Sequence, residues 1–92
     1  MKTERFTVES CCGKTSIILK TGEPLTIEHL KGLVALGFNE AKHFTDAGIL
    51  YADNMDLIVT GPLGSNRLQI KCKYKNCEQK IADFEVLLNK IG

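Results

Sequence analysis

Apolar and polar residues alternate over residues 5–9, where Phe6 and Val8 are separated by Arg5, Thr7 and Glu9, and this period of two predicts a half-buried strand. Ile17, Ile18 and Leu19 form a short apolar run within residues 16–20 and predict a second, more deeply buried strand. Between them, Ser10-Cys11-Cys12-Gly13-Lys14 predicts a hairpin turn, with Gly13 able to supply a positive φ. After Thr21-Gly22-Glu23-Pro24 the period changes, and Ile27, Leu30, Leu33 and Val34 recur at helical spacing. Thr26 is placed to cap this helix, Leu25 and Leu30 to form a hydrophobic staple, and Glu28 to complement the positive end of the helix dipole. Gly37 and Phe38 predict a left-handed stop with Phe38 packing back on Leu33, so the first helix covers residues 27–36.

Residues 40–45 are readable as one turn of helix or as a strand leading into Asp46-Ala47-Gly48, and the strand reading is preferred. Residues 49–51, 56–60 and 67–74 predict the strands of a meander, with Leu63 in the loop between the last two. The last strand alternates most cleanly: Leu68, Ile70, Cys72 and Tyr74 point one way, and Arg67, Gln69, Lys71, Lys73 and Lys75 the other. Asn76 then caps a second helix, with Gln79 as its capping-box partner and Ile81, Phe84, Leu88 and Ile91 as its core stripe. The expected fold is a single compact α+β domain over residues 1–92, an antiparallel β-sheet of five to six strands, hairpin then meander, with two helices on one face in the order ββαββββα.

Length and composition narrow the function classes. At 92 residues, with 43% hydrophobic and 25% charged residues, the chain has room for one core and is not disordered by composition. A domain of this size buries roughly 60–65% of its unfolded surface, which leaves little volume for a deep substrate cavity and favours work at the surface. No apolar run approaches the length of a membrane span, and Met1-Lys2-Thr3-Glu4-Arg5 leads into alternating residues without an apolar signal region, so a cytoplasmic location is expected.

That expectation makes Cys11, Cys12, Cys72 and Cys77 reduced thiols or metal ligands rather than disulfides. A fold that brings the hairpin tip to the junction of last strand and last helix would gather four thiolates around zinc, although adjacent cysteines and a Cys-x4-Cys pair depart from the usual Cys-x2-Cys ligand spacing. Taken separately, Cys72 reads as a small core residue, and Cys77, at a helix start among Lys73, Lys75 and Lys80, as the most reactive thiol. No base or oxyanion site accompanies it, and His29 and His43 lie in no catalytic signature. Gly13-Lys14-Thr15 resembles the end of a phosphate-binding loop, but Val8 stands where the first glycine is needed and a strand follows instead of a helix.

Net charge is only +1, yet it is unevenly spread. Residues 21–66 carry Lys31 and Lys42 against six acids, a net of −4, whereas residues 67–80 carry five basic residues against Glu78, a net of +4. A polarised surface on a small scaffold without a complete catalytic or cofactor motif predicts a non-enzymatic interaction or regulatory module that binds a protein partner through Arg67, Gln69, Lys71, Lys73 and Lys75. The alternatives are a nucleic-acid-binding module using the basic strand Arg67 to Lys75, and a zinc-stabilised domain using the four cysteines. No other cofactor and no membrane contact is expected.

Overall fold

The alternation at the start of the chain produces a hairpin of β1 (Thr3–Cys11) and β2 (Lys14–Thr21), longer than the expected strands and interrupted by a register shift between Arg5 and Thr7. The structure is a computed structural model that describes residues 3–11, 14–74 and 77–90, with side chains described for these except residues 5–11, 14 and 15. Next come α1 (Ile27–Ala35), β3 (Asn39–Glu40), α2 (Lys42–Asp46), β4 (Ile49–Asp53), β5 (Leu57–Pro62), β6 (Arg67–Cys72) and α3 (Glu78–Lys90). The expected α+β class and antiparallel sheet are present, with six strands in spatial order β1-β2-β6-β5-β4-β3. Strand β6 lies between the hairpin and the meander and is antiparallel to both neighbours.

Local chemistry sets the ends of α1. His29 Nδ1 accepts the Thr26 backbone N–H at 3.0 Å, so the third residue of the helix caps the residue before it. At the other end Gly37 has φ 101°, and the N–H groups of Phe38 and Gly37 donate to the carbonyls of Leu33 and Val34, the paired bonds of a Schellman stop. Phe38 is thereby turned into the core, where its ring lies 5.3 Å from that of Phe84 on α3.

One face of the sheet carries the core. Ile17, Leu19, Leu50, Ala52, Leu57, Val59, Leu68, Ile70 and Cys72 meet Leu30 and Leu33 of α1 and Ile81, Phe84 and Leu88 of α3. Ile91 and Asn76, and with Asn76 the expected capping box, lie outside the described residues, and Gln79 Nε2 donates to Asp83 Oδ1 at 3.0 Å. The expected strand at residues 40–45 is corrected: only Asn39–Glu40 pairs with β4, and Lys42–Asp46 turn helical. The run Glu40 to Thr45 has one large apolar residue, Phe44, so no apolar alternation holds it in the sheet. A third helix, α2, therefore joins the two that were expected.

The loop from β2 to α1 is locked onto the turn between β5 and β6. Leu25 donates its N–H to Ser65 O, its carbonyl accepts from the Gly64 N–H, and Leu63 packs partly buried on the core. Beneath this loop the backbone of Gly61 is approached so closely that a Cβ there would lie 2.6 Å from Leu25 Cδ1 and 2.6 Å from the Arg67 carbonyl oxygen. The Gly61→Ala variant is expected to lose about 1–3 kcal/mol, read as a lower denaturant midpoint at unchanged slope, because one of the clashing atoms is backbone and has no rotamer to yield.

Candidate interaction surface

The residues between the core positions form the opposite sheet face. Cross-strand registry aligns Tyr51, Thr60, Gln69 and Ile18 in one row and Asp53, Ile58, Lys71 and Ser16 in the next, while Arg67 lies opposite Lys20. Helix α2 crosses part of this face: the Phe44 ring stacks on Tyr51 at 4.7 Å with 12° between the planes. Between α2 and β2 runs a groove of about 450 Å³ lined by Ile18, Phe44, Ile49, Thr60, Arg67 and Gln69. Gln69 is half-buried in it, its Nε2 donating to Ser16 Oγ at 3.4 Å.

Of the five predicted partner-binding residues, Arg67, Gln69 and Lys71 lie on this face, with Arg67 and Lys71 exposed and Lys20 exposed beside them on β2. Lys73 follows the end of the strand at Cys72, and its Nζ donates to Asp53 Oδ2 on the same face at 2.8 Å, with its N–H on the Asp56 carbonyl. Lys75 lies outside the described residues. Lys80 Nζ sits 3.8 Å from Asp56 Oδ2, so the positive segment folds back on the acidic turn between β4 and β5. The two charge blocks of the sequence thus partly neutralise one another, and among the described residues of the sheet's open face Lys20, Arg67 and Lys71 are exposed.

Tyr74 is also corrected. Once the strand has ended, parity no longer directs it inward, and it is exposed with its hydroxyl donating to Asp56 Oδ1 at 2.8 Å. That hydrogen bond, then slight desolvation and the carboxylate charge, hold its pKa above the ordinary tyrosine value of 10.0. Asp56 is fixed in turn by the Asn54 side chain, whose Oδ1 accepts the N–H groups of Asp56 and Leu57, both at 2.8 Å.

The cysteines divide differently from the expected thiols. Cys72 and Cys77 are joined as a disulfide with Cα atoms 6.1 Å apart, and both are buried. Cys77 is only 1% exposed, and its carbonyl accepts the Ile81 N–H at the start of α3. It is therefore not the exposed reactive thiol expected at the first helical position. The core reading of Cys72 agrees with its burial. Cys11 ends β1 opposite Lys14, near the sheet end where Ser16 pairs with Lys71, so the hairpin tip and the disulfide share one end of the sheet. The Cys11 side chain and all of Cys12 lie outside the described residues. Disulfide sulfurs are not thiolates, so in this state Cys72 and Cys77 are unavailable to a four-thiolate zinc site. Among the described residues no group of three or more His, Cys, Asp or Glu is suited to hold a metal ion.

Sequence reasoning missed Ile18, Phe44, Ile49 and Thr60. The signal for Ile18 was the run Ile17-Ile18-Leu19 itself, because in a strand with one buried face the middle residue of three must point to the other side. The chain matches no protein-family model, no curated protein and no solved structure. Among the described residues no helix is long and apolar enough to cross a membrane.

Two outcomes follow from this geometry. The raised pKa of Tyr74 marks a protonated form favoured in the folded state, so its stabilisation is present below pH 10 and is lost as the pH rises above it. Ultraviolet titration of the phenols should place Tyr74 above 10, and Asp56→Ala should bring it down; an unmoved titration in that variant would disprove the pairing. Closing the short loop between Cys72 and Cys77 stabilises by about 2 kcal/mol in the chain-entropy account. Reductant should lower the denaturant midpoint accordingly, and mass measurement with alkylation before and after reduction should show two further thiols released.

Proposed function

We propose that this chain is a non-enzymatic interaction module that docks an acidic protein segment on the open face of its sheet. The observation that supports this reading is the groove between α2 and β2, whose aliphatic floor lies on the same face as the exposed Lys20, Arg67 and Lys71. An apolar floor with cations at its rim suits a polypeptide better than a nucleic acid, because stacking on bases needs free aromatic faces and Phe44 and Tyr51 are stacked on one another.

The expected cytoplasmic location belongs with the dithiol form of Cys72 and Cys77, since cytosolic reductants keep thiols reduced; the disulfide form belongs to an oxidising compartment. The open face is the same in both readings, being formed by side chains on the side of the sheet away from these sulfurs.

The test is a titration of isotope-labelled protein with the acidic peptide Asp-Ser-Glu-Gly repeated twice, at low salt. Amide shifts are expected at Lys20, Arg67 and Lys71. Rim charges are worth roughly 0.2–1 kcal/mol each, so Lys71→Glu should weaken binding by up to about fivefold, and added salt should weaken it further. Shifts confined to other surfaces would sink the reading. Binding of a single-stranded oligonucleotide in place of the peptide, lost in Lys71→Glu and steeply reduced by salt, would replace it with the nucleic-acid alternative.

A further inference from the structure

The positions of the cations around the groove say more about what the acidic segment looks like, an inference that rests on the docking reading above. Lys20 and Arg67 face one another at one end of the face, and Lys71 stands four residues further along β6, opposite Ser16. At the strand rise of about 3.3 Å per residue, these ends are roughly 13 Å apart. Ile18 and Gln69 form the row between them, over the floor of the groove. The Glu4 residue that pairs with Lys20 in register offsets part of one end, and Asp53 at the other edge of the face is already held by Lys73.

An extended peptide running along β6 advances by the same rise, so its residues i and i+4 span the two cationic ends while the side chain at i+2 points to the same side, into the groove. The groove, at about 450 Å³, lies at the small end of ligand sites, which hold roughly 300–1,000 Å³, and so suits one bulky side chain rather than a helix. Its contacts are Ile18, Ile49 and the Phe44 edge of α2, with Thr60 and Gln69 the polar groups within it. We infer that the groove receives one large apolar side chain of the partner, flanked two residues to either side by carboxylates: an acidic residue, a spacer, an aromatic or branched aliphatic residue, a spacer, and a second acidic residue. Phe44 then acts as the wall that sets the size of the accepted side chain, which gives the short helix α2 a role in specificity.

The chain contains no tryptophan, so a tryptophan in the peptide reports its own environment without background. The probe is acetyl-Gly-Asp-Ser-Trp-Ser-Glu-Gly-amide, compared with the same peptide carrying Ser in place of Trp and with one in which the carboxylates are moved next to the Trp. Tryptophan emission is expected to shift to the blue on titration with the protein, with at least tenfold tighter binding than the Ser peptide and several-fold tighter than the respaced one. Ile49→Asp should remove that advantage, and Thr60→Glu, which fills the same groove from β5, should do likewise; circular dichroism establishes that each variant is folded. Equal, salt-sensitive binding of the Trp and Ser peptides overturns the insertion while leaving the docking reading in place. Trp-dependent binding untouched by both groove variants also overturns it, by placing the side chain elsewhere. No binding of any acidic peptide removes both readings.

Discussion

Strand β6 is hydrogen-bonded on both edges, to β2 and to β5, and it is the seam at which the amino-terminal hairpin and the meander become one sheet. Its register is held by burial. Leu68, Ile70 and Cys72 are inside, whereas Arg67, Gln69 and Lys71 are outside. Sliding the strand by one residue would exchange those sets and carry two cations into the core, a cost far beyond what ladder hydrogen bonds in the new register return. Because β6 is fixed, so are Ile18 on one side of it and Thr60 on the other, and the open face inherits its arrangement from the demands of the buried one.

Charge behaves differently in space and in sequence. The acidic middle and the basic segment looked like opposite poles along the chain, but the turn between β4 and β5 brings Asp53 and Asp56 beside Lys73, Tyr74 and Lys80. On the open face Lys20, which comes from outside the basic segment, joins Arg67 and Lys71. A charge pattern read along one dimension overcounts, since antiparallel connections return distant residues to each other.

Much of the architecture was legible because it depends on local periods and local caps. The two-residue alternation of β6, the Schellman stop at Gly37 and Phe38, and the stripe Ile81, Phe84 and Leu88 each need only a short window of residues. Helix α2 escaped because five residues are too few to display a helical period and its anchoring contact, Phe44 on Tyr51, is tertiary. Tyr74 was misplaced by continuing an alternation past the end of its strand. The Cys72–Cys77 bond was not legible because the compartment argument was applied to the count of cysteines before their positions were known. Half of the candidate surface followed from the parity of β6, and the other half needed the apolar residues that the folded sheet leaves on its second face.

The sheet order also bears on how the molecule assembles. The contact that closes it, such as Gln69 to Ser16, joins residues 53 apart in the chain, while the hairpin and the meander each form between neighbours. Loop-closure entropy must be overcome before that seam contributes anything, and small proteins dominated by such pairings fold in milliseconds to seconds rather than microseconds. φ-values at Ile17 and Ile70, which face each other across the seam, report how far it is formed in the folding transition state. Until the seam forms, the apolar faces of the hairpin and of the meander lack their cover, and a chain caught without it is open to association with its own kind.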